Sequence, residues 1–172
     1  MSIPLRFQGQ SVFVAGGSSG INLGIATAFA KAGANVAIAS RNAERVAEAV
    51  DVLRGHGTQI EGYSADVRDA AAIAGALQKA RDAIGLFDVL VSGAAGNFLA
   101  PALGMSANGF KTVVDIDLNG TFHVLRASFE HLRRPGACVL NNSAPQALNP
   151  TKFQAHVCAQ EAMRLACPRQ GR

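Results

Sequence analysis

Short apolar runs alternate along this chain with longer segments in which apolar residues return every three or four positions. Val12–Ala15, Val36–Ala39, Gln59–Ser64, Val89–Ser92 and Cys138–Asn141 read as strands. Ile21–Ala32, Ala43–Arg54, Asp69–Ile84 and Gly109–His131 carry helical spacing. Gly33, Gly55-His56-Gly57 and Pro135-Gly136 fall where elements should end or turn, and Asp66 or Asp69 should cap the third helix. Apolar strands between amphipathic helices fit a parallel sheet covered on both faces. Right-handed crossovers then wind it into a doubly wound α/β domain. No linker, repeat or low-complexity tract divides residues 1–172, so one domain is expected.

The junction after the first strand, Gly16-Gly17-Ser18-Ser19-Gly20-Ile21, is where this pattern meets chemistry. A buried strand that turns sharply into a helix presents backbone N–H groups to a phosphate, and glycine lets the backbone approach closely. Ser18 and Ser19 can cap the helix or donate hydroxyls to phosphate oxygens. In a doubly wound sheet the ligand lies across the carboxyl ends of the strands. The second strand ends in Ser40-Arg41, where a site preferring NAD would place a carboxylate on the ribose hydroxyls. A hydroxyl and a guanidinium favour a 2′-phosphate instead, hence NADP(H) over NAD. Asp66-Val67 follows the third strand, and Asp66 either accepts from an adenine amino group or caps the next helix.

Charge and composition narrow the classes further. The net charge of +4 suits an anionic ligand, but the basic residues are scattered with no aromatic-interleaved patch, which disfavours nucleic acid. No apolar run approaches the ~20 residues that cross a bilayer, and Met1–Gln10 carries no signal-like apolar core. Cys138, Cys158 and Cys167 are odd in number and follow no metal-ligand spacing, so reduced thiols in the cytoplasm are expected, with no metal.

These landmarks, with Ser92-Gly93-Ala94-Ala95-Gly96, resemble the short-chain dehydrogenase/reductase superfamily, whose fold is Rossmann-type. Within it, Gly93 through Leu99, Phe110 through Asp117 and Gly120-Thr121-Phe122 are most similar to peroxisomal-type 2,4-dienoyl-CoA reductases. The resemblance implies an oxidoreductase of fatty-acid breakdown that delivers hydride from NADPH to a conjugated acyl-CoA thioester. It places Gly93, Ala94, Ala95 and Gly96 beside the nicotinamide, and Phe98 against the acyl chain or the nicotinamide. Ser106 and Asn108 fall near the thioester, and Asp117 where an aspartate positions the water that protonates the product. Without the resemblance, Asp117 reads as an acid on an exposed helix face. It also implies a homo-oligomer, joined through the helix at Gly109–His131 and one beginning near Ala155.

The chain departs from the family pattern in several places. Asn22 stands where the glycine turn usually has its third glycine, and is expected to crowd the pyrophosphate. Ser92-Gly93 replaces a pair of asparagines. The position of the usual acid tyrosine holds Val157; Tyr63, the chain's one tyrosine, lies on the third strand. The lysine expected one helical turn later is replaced by Glu161, which reverses the charge beside an anionic cofactor. Ser143 precedes the usual catalytic serine position, now Ala144, and either donates to the thioester carbonyl or caps local backbone. The resemblance runs from about residue 8 to 158; the polar stretch from Gln160 then lacks the apolar continuation of a helix, and Pro168 should stop it. A truncated or frameshifted chain without the family's last strands is expected. Two alternatives stand beside the reductase: an inactive remnant that binds NADP or a partner chain, and an enoyl-thioester or carbonyl reductase of the same superfamily.

Overall fold

The computed structural model describes residues 6–166. Five parallel strands make one sheet in the order β3-β2-β1-β4-β5. They are β1 Ser11–Ala15, β2 Asn35–Ser40, β3 Ile60–Ser64, β4 Val89–Ser92 and β5 Cys138–Asn141. The helices are α1 Gly20–Lys31, α2 Ala43–Arg54, α3 Ala70–Ile84, α4 Ala107–Val114, α5 Gly120–Ser128 and α6 Ala155–Ala166. The strands and first three helices fall within one residue of the ends their sequence patterns predict. The chain steps outward from β1 to β2 and β3, then returns across β1 to build β4 and β5. That reversal opens a crevice at the carboxyl ends of β1 and β4.

Strand alternation sorts the core into two layers. Val12 and Val14 of β1 and Val36 and Ile38 of β2 pack with Ala26 and Ala30 of α1 and Val46, Ala49 and Leu53 of α2. Phe13 and Ala15 face the other way, onto Ile73, Leu77 and Ala80 of α3 and Val124 of α5. Fully burying a side chain of the Val, Leu or Phe class contributes about 1.5–3 kcal/mol, so both layers hold the sheet between its helices. On β3, a Cβ at Gly62 would lie 2.5 Å from Val50 and 2.7 Å from Val46, so the missing side chain lets α2 settle onto the strand. Asn42 caps α2 by accepting from the Arg45 N–H at 2.9 Å. Asp69, rather than Asp66, caps α3, accepting from the N–H groups of Ala71 and Ala72.

Two segments differ from their sequence patterns. The helix predicted over Gly109–His131 starts earlier and is not one helix. Ser106 caps α4 by accepting from the Gly109 N–H at 3.0 Å. The backbone then widens into a π turn at Asp115–Asn119 before α5, and Phe129–His131 is a 3₁₀ turn. Ile116 and Asp117 of the π turn are buried, and a Cβ at Gly120 would fall 2.6 Å from Val67. The helix is thus shaped by what it crosses. At the other end, α6 continues through the polar stretch where the pattern fades, because Gln160 and Glu161 are buried rather than solvated. Pro168 and Cys167 lie outside the described residues.

Candidate functional site

At the carboxyl ends of the strands lies a cleft of about 440 Å³. Gly16, Ser18, Ser19 and Ile21 line one wall. Gly16 has φ 77°, and a Cβ there would meet Ala94 Cα at 2.8 Å. Both the left-handed backbone and the close approach demand glycine. Gly17 packs on β2, where a Cβ would come within 2.7 Å of Ile38. Gly20, at φ 58°, opens α1 without lining the cleft. Ser19 occupies the N-cap of α1 but makes no side-chain cap bond, and no acid stands in the first turn. Of the two roles open to these serines, the cap is not made. The first-turn amides and the positive end of the helix dipole are left for an anion.

Asn22 also lines the cleft, and its side chain is held by two hydrogen bonds. Its Nδ2 donates to the Gly93 carbonyl at 2.6 Å, and its Oδ1 accepts from Asn142 Nδ2. The side chain is thereby committed to the ends of β4 and β5. Gly93, Ala94 and Ala95 line the cleft beside it. Gly96 lies off that lining, its N–H donating to Asp117 Oδ1 at 2.7 Å.

Ser40, Arg41, Asn42 and Arg45, at the end of the neighbouring strand β2 and the start of α2, also line the cleft. Arg41 is exposed, and its carbonyl accepts from Ser64 Oγ at 3.4 Å. Arg45 is a second cation that the sequence reading missed. Its position one helical turn after Arg41, just past the Asn42 cap, was the available signal. Asp66 and Val67 complete this end. Asp66 does not cap α3; its carboxylate is forked by Arg68, with Nη2 at 2.6 Å. That pairing with Arg68 holds the Asp66 carboxyl below the ordinary carboxylate range, with a smaller push from Arg41. The Val67 carbonyl sits 2.8 Å from His123 Nδ1, tying the strand end to α5.

At the remaining end, Ser143, Ala144 and Glu161 line the cleft. Ser143 Oγ donates to Glu161 Oε2 at 2.6 Å, and Gln160 Nε2 donates to Oε1 at 2.9 Å. The serine hydroxyl therefore points its proton at a carboxylate from α6, neither at backbone nor into open space. Val157 is buried and brings no proton donor. Tyr63 stays on β3, where burial pushes its phenol up.

Asp117, Phe98, Ser106 and Asn108 do not line the cleft. Asp117 is 3% exposed, so the open helix face expected from its spacing is corrected to a buried position in the π turn. Widened turns of this kind recur at functional sites. Phe98 stacks on the buried His156 ring, centroids 4.6 Å apart, and His156 Nε2 lies 3.2 Å from Asn97 Oδ1. Ser106 is spent on its cap, and the exposed Asn108 offers its carbonyl to Thr112 Oγ1.

A family model for short chain dehydrogenase matches residues 10–160. The chain belongs to that family. Among its members, the chain is 37% identical over 164 residues to a peroxisomal 2,4-dienoyl-CoA reductase of Arabidopsis thaliana. It is 39% identical over 161 residues to the peroxisomal 2,4-dienoyl-CoA reductase of Rattus norvegicus. A probable 2,4-dienoyl-CoA reductase of Bacillus subtilis is 32% identical over 155 residues. These alignments cover 90%, 92% and 89% of this chain but only 55%, 55% and 61% of the relatives. The chain thus spans a little over half the length of the curated relatives it matches. A dehydrogenase/reductase from Sinorhizobium meliloti superposes with a TM-score of 0.88 at 30% identity, covering 95% of this chain and 65% of that one. A short chain dehydrogenase from Mycobacterium smegmatis gives 0.89 over 95% and 70% of the two chains; at 24% identity that likeness speaks for the fold alone. No helix among the described residues is long and apolar enough to cross a membrane.

Proposed function

We propose that this chain seats NADP(H) across the carboxyl ends of its strands and that its lineage reduces 2,4-dienoyl-CoA thioesters. The observation that carries the reading is that Arg41 and Arg45, beyond the end of the strand next to the glycine turn, both line the cleft. Two guanidinium groups fit a terminal phosphate, and hydrogen bonds to charged groups contribute about 1.5–3 kcal/mol each. The cleft lining at Gly16, Ser18 and Ser19 and the uncapped start of α1 fit the pyrophosphate. Bound there, the nicotinamide supplies a hydride to an electron-poor carbon. Asp66 and Val67 flank the adenine; Gly93, Ala94, Ala95 and Gly96 form the nicotinamide side. Asp117 holds that loop through the Gly96 N–H and is our candidate for orienting the water that protonates the product. Phe98, Ser106 and Asn108 are assigned to the acyl-CoA, supported by the names of the relatives.

A second reading, NADP(H) binding without turnover, is favoured by one specific contact. Ser143 donates to Glu161, so a carboxylate competes with any thioester carbonyl for that proton. Glu161 also brings negative charge to the cleft that receives an anionic cofactor. At 4 Å a unit pair interacts by about 1 kcal/mol in bulk water and about 4 kcal/mol at an effective dielectric of 20. Self-association belongs to either reading, supported by Phe122 and Phe129 at 63% and 50% exposure around α5. A cytoplasmic setting rests on Cys138 and Cys158, both free thiols; the plant and rat relatives are peroxisomal by name.

One preparation tests both readings. NADPH and NADH are titrated by cofactor fluorescence, and NADPH oxidation is followed with a dienoyl-CoA. Oxidation supports the reductase, tight NADPH binding without oxidation supports the binding reading, and no preference for NADPH over NADH removes the assignment of Arg41 and Arg45.

A further inference from the structure

The structure assigns Asn22 a role as a positioning residue: its amide ties the phosphate-binding turn to the ends of β4 and β5, and residue 93 is glycine to make room for it. This rests on the NADP(H) reading above. The sheet ladder reaches these loops through three backbone rungs: the Gly16 N–H on Ala39 O, the Gly93 N–H on Ala15 O and the Asn142 N–H on Ser92 O. Asn22 adds a side-chain link across the same strand ends from the first turn of α1. Its Nδ2 reaches Gly93 O at 2.6 Å, and its Oδ1 accepts from Asn142, 120 residues away in sequence. A Cβ built on Gly16 would lie 3.1 Å from the same Nδ2. The amide is therefore packed between the glycine turn, the β4 loop and the β5 loop, and is only 9% exposed.

The fit with residue 93 is the second, independent observation. A Cβ at Gly93 would meet Asn22 Oδ1 at 2.2 Å, Cγ at 2.6 Å and Nδ2 at 2.6 Å, and these are its three nearest atoms. Real Cβ atoms do not approach so closely. The volume that a side chain at 93 would occupy is already filled from position 22. The two departures from the family pattern noted in the sequence, Asn22 and Gly93, are thus one exchange. An amide leaves the end of β4 and is restored from the first turn of α1.

A residue that positions the pyrophosphate turn should matter to ligands that carry a pyrophosphate and not to those held at the Arg41 end. The probes are NADPH and adenosine 2′-monophosphate, which has no pyrophosphate, each titrated by calorimetry against wild type, N22A, N22G, G93A and N22G/G93A, with Tm recorded for each. N22A is expected to bind NADPH about tenfold more weakly, equivalent to about 1.4 kcal/mol, while its affinity for the monophosphate is unchanged. G93A in the wild-type background should lose NADPH affinity or fold poorly, and N22G/G93A should return to the level of N22G alone. Equal loss of both ligands in N22A, no loss of either, or a G93A variant as good as wild type overturns the inference. If wild type itself binds neither ligand, the NADP(H) reading falls and this inference falls with it. Wild-type binding with a silent N22A removes this inference alone.

Discussion

The two flanks of the sheet are built differently. On the β1–β2 side, Val12, Phe13, Val14, Val36 and Ile38 are wholly shielded, and helices α1, α2 and α3 close over both faces with aliphatic side chains. On the β5 side, Val139 and Leu140 are each 41% exposed, and β4 is the one strand paired with β5 among the described residues. The chain then leads to α6, which packs on α4 and the turn at Pro145–Ala147 and buries polar groups beside Val157, with His156, Gln160 and Glu161 at 0%, 1% and 3% exposure. Among the described residues His156 Nδ1 and Gln160 Oε1 have no hydrogen-bond partner, a costly arrangement for buried polar atoms. The glycine turn, Arg41 and Arg45 stand on the first flank, Ser143 and Glu161 on the second. The end of the cleft that would hold a nucleotide is thus founded on close-packed apolar elements. The end that would do chemistry rests on polar contacts.

Truncating an apolar side chain on each flank is the strongest way to break this contrast. Leu53→Ala in α2, wholly buried, should cost about 2–5 kcal/mol in urea unfolding, whereas Leu140→Ala on β5 should stay within ±0.5 kcal/mol or so. Similar losses would show that β5 is covered after all. Charge changes sharpen the comparison next. Arg41→Ala should weaken NADPH binding by about 1.5–3 kcal/mol and leave NADH nearly unchanged, because only NADPH carries the extra phosphate. Glu161→Gln should act in the opposite direction and tighten NADPH by about 1 kcal/mol; weaker binding would mean that the carboxylate supports the cofactor side. The smallest effect concerns pH. Asp66 titrates below its ordinary value in the folded chain because Arg68 bonds it. Its stabilisation is therefore complete above the unfolded carboxyl's pKa of about 3.9 and is lost as pH falls through the lower folded value. With side chains 43% and 29% exposed, the pair is worth under about 1 kcal/mol. Arg68→Ala should flatten the acid arm of the stability profile by that amount and leave stability above pH 5 or so lower but parallel.

Legibility in the sequence followed the range of the interactions involved. Strands such as Val12–Ala15 and helices such as Ala43–Arg54 announce themselves by spacing, because the period of a strand or helix is written in neighbouring residues. The glycine turn and Ser40-Arg41 were legible for the same reason, since one strand end and one helix start are local features. Arg45 was missed although it lies one turn beyond Arg41, because a cation on an exposed first turn looks like any solvated residue. The break in Gly109–His131 had no local signal at all. It arises where Gly120 crosses Val67 and Asp117 reaches the Gly96 N–H, contacts made across 53 and 21 positions of chain.

Asn22 and Glu161 show the limit most clearly. Taken singly, one is a crowded glycine position and the other a reversed charge. Their distant partners, Gly93 with Asn142 for the one and Ser143 for the other, lie on other strand ends and loops. The sequence by itself determined the strand and helix order, the winding of the sheet and the end of it where a phosphate-bearing ligand can sit, because periodicity and backbone chemistry are short-range. Only the tertiary structure decided which polar side chains are spent on one another and which face the cleft, because that depends on groups brought together by folding.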